Sequence, residues 1–318
     1  MINMKKIGVV LTNLGTPDAP TKAALKVYLE EFLKDPRVIE LPKWQWYPIL
    51  YGIILNVRPQ KSAEKYQIVW DDGSPLLNIT KRQAEQLQAL LPENYRVNIA
   101  MRYGNPSIES AIKEMIAEKV DEIVIFPLYP QYSAATTASV MDKVGEVLKD
   151  LRYFPALRVL GAYYQHPRYI EACVDQIRKE TEGKSLDRYV FSYHGMPLQT
   201  YKDGDPYYDH CMETTKLIAE KMGEPLERFE TVFQSRFGKA EWLQPYAAEF
   251  FETAPAKGIK NIAVFCPGFS ADCLETLEEM AMENRDLFLG ANGESYHFIP
   301  CINNNDLHIE MMQEIVTE

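Results

Sequence analysis

Two stretches of the chain gather residue types that can move protons or hold a metal. In Ser192-Tyr193-His194-Gly195-Met196-Pro197 a histidine closes an apolar run and precedes two turn formers. Neutral imidazole in that place can ligate a metal or take a proton near pH 7. The competing reading is a histidine that caps its strand and bonds its own loop, and the residue types alone leave both open. In the stretch from Cys266 to Glu283, Glu275, Glu279 and Glu283 recur at every fourth residue. If Ser270 or Asp272 caps a helix there, the three share one slowly drifting face, with Leu274 and Leu277 on another. Like charges at this spacing repel unless solvent or a cation compensates. A solvated acidic face is the plain alternative for Glu279 and Glu283. Glu275 differs because it falls in the first turn, next to the end of the preceding strand.

Other positions carry weaker signals. Arg102 follows a strand and can pair either with a ligand carboxylate or with a loop acid. Tyr129, Tyr132, Ser133, Thr136 and Thr137 line one loop that suits the edge of a flat, partly polar ligand, or simply packs. Cys273 is a soft ligand or a small buried side chain. His166, His210, His297 and His308 have no supporting context and read as structural. Leu41 to Tyr51 concentrates aromatics between prolines; it is a lip over an apolar ligand, a surface that touches lipid, or helix packing.

The elements that must position these residues follow from hydrophobic periodicity. Ile7 to Leu11, Tyr95 to Met101 and Ile123 to Phe126 read as strands, with helices from Lys22 to Leu33 and Ser107 to Glu118 between them. After Arg158 the rhythm begins again: Val159-Leu160 opens it, a helix runs through Tyr169 to Lys179, and Tyr189 to Ser192, Thr231 to Phe233 and Ile262 to Phe265 are strands. Strands alternating with helices predict an α/β fold with parallel sheets covered on both faces. We read one α/β domain over residues 1–160 and a second over 161–304, with a C-terminal helix at about 305–318 packing back on the first. In such sheets ligands lie beyond the carboxyl ends of the strands, which is where the unusual residues fall.

Composition removes several classes. The chain has 318 residues, with 34 basic against 45 acidic and a net charge of −11, the wrong sign for a general nucleic-acid binder. Neither the dinucleotide GxGxxG nor the phosphate-binding GxxxxGK[ST] pattern occurs. Five cysteines without CxxC or zinc-type spacing suit a reducing cytosol. The apolar N-terminal stretch is broken by Thr12 and Asn13, and Tyr47 to Val57 is too short and too interrupted to span a bilayer. A cytoplasmic protein is expected.

Taken in order, Asn13-Leu14-Gly15-Thr16-Pro17, Gly73-Ser74-Pro75-Leu76, Arg102-Tyr103, Tyr129-Pro130-Gln131-Tyr132-Ser133, Ser192 to Pro197, Gly204-Asp205-Pro206-Tyr207, Gln234-Ser235-Arg236-Phe237-Gly238, Trp242-Leu243 and Ser270 to Leu277 closely resemble ferrochelatase, in its Gram-negative bacterial form. The resemblance runs from about residue 7 to residue 283. It implies two Rossmann-like domains of the class II chelatase type with a porphyrin cleft between them, and insertion of ferrous iron into protoporphyrin IX to give protohaem. It also implies that His194 and Glu275 are the metal-site and catalytic residues, with Glu279 and Glu283 passing iron inward. Trp242, Phe269 and Tyr129 would wall the macrocycle and Asp272 and Cys273 would flank the metal residues. Ser74, Tyr66, Arg58 and Arg102 match positions near the propionates or the iron path. Whether His194 deprotonates the porphyrin or delivers iron stays open.

One departure matters. Cluster-bearing relatives have a cysteine right after the Tyr-Ser of the loop and a cysteine-rich tail; here Ala134 stands in the loop and Cys301 is the last cysteine, so no iron–sulfur cluster and no other tightly bound cofactor is expected. The expected partners are protoporphyrin IX and Fe²⁺, with peripheral contact at the inner membrane and a monomer as the simplest assembly. A chelatase for another tetrapyrrole, such as coproporphyrin or sirohydrochlorin, and a non-catalytic porphyrin or haem carrier are the alternatives.

Overall fold

The computed structural model describes residues 4–238 and 240–318. Its strands are β1 (Ile7–Thr16), β2 (Tyr95–Gly104), β3 (Glu122–Pro127), β4 (Ala156–Val159), β5 (Arg188–His194), β6 (Phe229–Gln234), β7 (Asn261–Phe265) and β8 (Ser295–Ile299). They form two four-stranded sheets, ordered β2-β1-β3-β4 and β6-β5-β7-β8, with every ladder parallel. Among the described residues, 4–128, 133–161 and 312–318 form one compact unit, and 129–132 and 162–311 form a second.

In the first unit, β1 is central, with Val9 paired to both Val97 and Val124. Val9, Val10 and Leu11 of β1 and Ile123 to Phe126 of β3 are fully buried, which accounts for their unbroken apolar runs: strands covered on both faces have no polar side to alternate with. Gly15 has φ +115°, and a Cβ there would lie 1.8 Å from the Tyr103 carbonyl oxygen, so only glycine lets β1 and β2 close at this end. The helix Ile108–Ala117 begins at Ser107, whose Oγ accepts the Ser110 N–H at 3.1 Å.

In the second unit, apolar side chains of β5, β6 and β7, among them Val190, Val232, Ile262 and Val264, pack with Phe251, Met280 and Phe288 in one core. Both sheets share one winding: the chain runs from the central strand to one neighbour, then returns to the other side. The switch points therefore lie between β1 and β3 and between β5 and β7.

Three expectations need correction. Val159 belongs to β4, the last strand of the first sheet, and opens nothing in the second. β8 went unread, because Ser295-Tyr296-His297 mixes polar residues into a half-buried edge strand. The C-terminal helix Asp306–Thr317 joins the first unit only from residue 312. Gln313 Nε2 donates to Leu90 O at 2.8 Å within that unit, whereas Asn305 and Glu310 reach Asp175 and Arg168 of the second. Among the described residues no helix is long and apolar enough to cross a membrane.

Candidate active site at the carboxyl end of the second sheet

β5 ends on His194 and β6 on Gln234, and the two are paired in the ladder. The next N–H, from Gly195, donates to Gln234 O at 2.8 Å. A Cβ on Gly195 would come within 2.6 Å of that oxygen and 3.1 Å of the Trp242 ring. Glycine here thus lets the indole lie against the backbone just past His194, and Leu243 N donating to Met196 O at 2.9 Å holds it there. His194 Nδ1 lies 2.7 Å from the carbonyl oxygen of Gly195. A carbonyl can only accept, so Nδ1 carries the proton and Nε2 keeps its lone pair for a proton or a metal. The loop bond fixes the tautomer, so bonding its own loop and offering Nε2 to a ligand do not exclude one another.

Across the switch point, β7 leads through Cys266 to Ser270 into Glu275–Glu283, which is a π-helix rather than the α-helix its spacing predicts. Three carbonyls of this helix also accept from side chains. Gln234 Nε2 donates to Glu275 O at 2.9 Å, Asn284 Nδ2 to Glu279 O at 2.9 Å and Tyr296 OH to Met280 O at 2.6 Å. Asp272 fixes the entry. Its Oδ1 accepts from Thr276 Oγ1 at 2.9 Å and from Cys301 N at 3.2 Å, while its Oδ2 accepts from Asn303 Nδ2 at 2.7 Å. Asp272 is 4% exposed, so it acts on the site by shaping this turn rather than by touching a ligand. Cys273 beside it is buried, and burial pushes its thiol well above the usual range.

Glu275 and Glu279 are half-buried and Glu283 is exposed. Glu279 accepts the Ser235 N–H at 2.7 Å on one oxygen and the Ser235 hydroxyl at 2.5 Å on the other. Ser235 has φ +64°, a left-handed conformation that aims both of its donors at one carboxylate. Burial raises the Glu279 carboxyl above its ordinary value; the Ser235 bonds and His194 in its protonated form pull it down, and the charge of Glu275 pushes it up again. His194, Glu275 and Glu279 thus share one electrostatic neighbourhood. Among the described residues no group of three or more His, Cys, Asp or Glu side chains is gathered closely enough to hold a metal. The arrangement offers single ligands in sequence, not a closed cage.

Phe269 is half-buried against the second unit's core. Tyr129 belongs to a short loop of that unit, tied by Gln131 Nε2 to Thr214 Oγ1 at 3.0 Å and by Tyr132 N to His210 Nδ1 at 3.2 Å. The remaining sequence-predicted residues lie in the first unit. Ser74 caps the helix Pro75–Leu90, with its Oγ 3.5 Å from Leu77 N. Tyr66 is buried in the helix Leu55–Val69, where Arg58 is half-buried. Arg102 takes the second of its two readings. Its Nη2 lies 2.5 Å from Asp35 Oδ2 and its Nε donates to Ser139 Oγ at 2.7 Å, so its guanidinium is engaged by buried partners and not offered to a ligand.

The family model of ferrochelatase matches residues 6–318. The chain belongs to the ferrochelatase family. Ferrochelatase 2 of Shewanella oneidensis is 50% identical over 98% of this chain and 97% of its own length. The ferrochelatases of Vibrio parahaemolyticus and Haemophilus influenzae are each 46% identical, over 99% and 100% of this chain and 99% of their own. Among solved structures, SirB from Bacillus subtilis with Fe³⁺ superposes with a TM-score of 0.58 at 12% identity, covering 98% of this chain and 95% of SirB. CbiX, the terminal enzyme of sirohaem synthesis in denitrifying bacteria, gives 0.53 at 13% over 98% of both chains. At those identities the likeness speaks for the fold alone. Ferrochelatase membership makes a porphyrin and ferrous iron the substrates of this enzyme.

Sequence reasoning gave no role to Gln234 or to Ser235. The rule that singled out His194, inspection of the residue that ends a strand, finds both when applied to β6.

Proposed function

We propose that the chain inserts Fe²⁺ into protoporphyrin IX to form protohaem, with His194 as the proton acceptor and the glutamates as the iron path. The observation that carries these roles is the Nδ1–H bond to the Gly195 carbonyl beside Glu279. Two pyrrole protons must leave as one Fe²⁺ enters, so the exchange is neutral in charge. His194 Nε2 takes one of the two protons from the macrocycle while its Nδ1–H bond to the carbonyl supports the imidazolium that forms, and the second proton leaves to a carboxylate of the glutamate row and on to solvent. Glu283, Glu279 and Glu275 run from the exposed to the half-buried end of one helix, and carboxylate and imidazole are both acceptable ligands for Fe²⁺. Trp242, Phe269 and Tyr129 offer flat apolar walls to the ring.

The test is anaerobic metal insertion followed by loss of porphyrin fluorescence, with protoporphyrin, coproporphyrin and sirohydrochlorin in parallel. Fastest turnover of protoporphyrin is expected. Faster turnover of either other tetrapyrrole would replace the substrate, and binding without turnover would leave a carrier. Glu279→Gln and Glu283→Gln should raise the KM for Fe²⁺ more than they lower kcat.

The enzyme is further proposed to work without an iron–sulfur cluster and to touch a lipid surface. Ala134 in the loop supports the first, as do five buried cysteines whose thiols burial pushes up, Cys173 to about 12, away from the thiolate a cluster needs. Stoichiometric acid-labile sulfide in an anaerobic preparation would refute it. For the second, Trp44, Ile49, Tyr51, Ile53 and Val57 are 76, 41, 44, 58 and 55% exposed along one short stretch, an apolar row suited to a bilayer interface. With a net charge of −11, attachment rests on apolar insertion, so zwitterionic vesicles should bind as well as anionic ones.

A further inference from the structure

The two residues that end and follow β6 hold the π-helix at two points, and the first of them, Gln234, lies in register with His194. Gln234 is 1% exposed and both ends of its amide are engaged: Oε1 accepts from Ser192 Oγ at 2.7 Å and Nε2 donates to Glu275 O at 2.9 Å. Its main-chain oxygen accepts from Gly195 N at 2.8 Å. One residue thus bonds the strand before His194, the turn after it, and the first residue of the glutamate-bearing helix. Ser235 then grips the Glu279 carboxylate with N–H and hydroxyl together, from a left-handed backbone conformation that a residue with a side chain seldom adopts. Scaffolding of the sheet needs neither side chain, because the β5–β6 ladder closes through the main chain.

We propose that Gln234 and Ser235 are positioning residues for metal insertion, a clasp that sets the separation of His194 from Glu275 and Glu279. Gln234 sets the His194–Glu275 distance and so governs turnover. Ser235 orients the Glu279 carboxylate and so governs metal capture. The proposal rests on the catalytic reading of His194 and the glutamates given above.

Four variants and a control test it. Gln234→Glu keeps the acceptor for Ser192 but sets an oxygen against the Glu275 carbonyl; Gln234→Met keeps length and loses both bonds. Misplacement by about 1 Å can cost roughly 10²-fold, so kcat should fall by one to two orders of magnitude, with the KM for protoporphyrin changed by less than about threefold. Ser235→Gly relieves the backbone and keeps the N–H; it should raise the KM for Zn²⁺ or Fe²⁺ several-fold with kcat near wild type. Ser192→Ala, which leaves Gln234 in place, should give a smaller fall in kcat and covers the case in which Gln234 variants do not fold. Thr181→Val removes another buried hydroxyl bond of the second unit, to Ile177 O, and should lower melting temperature without changing kcat. Hydrogen exchange supplies a readout independent of turnover: amides of Glu275–Asn284 should exchange at least about tenfold faster in Gln234→Met, and those of β7 should not. If wild type failed to metallate any porphyrin, the catalytic reading would fall while exchange still tested the clasp. Folded Gln234→Glu with kcat within about twofold of wild type, or unchanged exchange across the π-helix, would overturn the proposal.

Discussion

In the first unit the strand beside the central one, β2, carries Arg102 near its end; in the second its counterpart, β6, ends in Gln234. The strand order is the same and both side chains brace a neighbouring element. Arg102 closes a network with Asp35, Ser139 and Tyr103, in which the Asp35 carboxyl stays below its ordinary value despite burial because Ser139, the Arg37 N–H, Tyr103 and Arg102 all stabilise its charge. Gln234 uses both ends of a neutral amide and leaves a histidine lone pair and a row of carboxylates beside it. Shared topology therefore does not confer chemistry. A strand end keeps groups available for chemistry where the local hydrogen bonding stops short of saturating them.

The contrast can be broken by substitution at either end. The largest effect is expected at His194. His194→Ala should fold, bind porphyrin and lose roughly 10² to 10⁴-fold in insertion rate, measured by porphyrin quenching with circular dichroism melts alongside. Near-native turnover would remove the proton-acceptor role. The first unit should respond the opposite way. Arg102→Met leaves the Asp35 charge buried without its cation and should cost about 3–5 kcal/mol in urea unfolding, while kcat of the surviving folded fraction stays within about twofold.

The pH dependence of stability sharpens the same distinction. His308 is fully buried; burial lowers its pKa to about 4 against the pull of the Asn303 carbonyl, which accepts its Nδ1–H at 2.7 Å. Between about pH 6.5 and 4 the unfolded chain takes up a proton that the folded one refuses, so stability falls as pH drops through that window. The slope approaches 1.4 kcal/mol per unit and the total reaches about 3 kcal/mol. His308→Gln should flatten this part of the profile in thermal melts; an unchanged slope would show that other groups cause it.

The smallest stability effect is expected at Trp44, in an aromatic stretch whose two tryptophans separate cleanly. Trp46 is 7% exposed and its Nε1 donates to Leu33 O at 2.6 Å, so it is a core residue and not part of a lip. Trp46→Ala should cost about 3–5 kcal/mol. Trp44→Ala should change stability by less than about 0.5 kcal/mol and weaken flotation with zwitterionic vesicles; unchanged flotation would count against the lipid contact.

Much of this was legible in the chain because the central strands are buried on both faces, and such strands announce themselves as β-branched runs: β1, β3, β5 and β7 were all found. β4 and β8 are edges, half-exposed and short, and their composition blurs into loop; the end of one reads as the opening of the second run of elements, and the other gives no strand signal. Around the site, His194 and the glutamates stood out by type and position. Arg102 could not be decided, since pairing with Asp35 depends on a partner 67 residues away. Trp46 and Trp44, two residues apart, look identical in composition and differ only in which face of a short helix turns inward. The π-helix was invisible, because a glutamate at every fourth residue suits α and π turns alike.

That π-helix couples length to function. Downstream of it Phe288 is fully buried, with its ring centroid 6.3 Å from that of Phe251 and 6.0 Å from that of Tyr296, which fixes the rotational phase of the helix Asn284–Gly290. Upstream, Asp272 and Gln234 fix the phase at Glu275. Between two such anchors a residue cannot be lost without consequence. Deleting one removes a residue's worth of rotation between the anchors unless the turn rewinds to the tighter α spacing, which re-phases the glutamates between them. Either the glutamate row swings away from His194 or Phe288 leaves its core. Substitution is tolerable on the outer side of this segment, at Met282 for example, but its residue count is as constrained as any catalytic side chain.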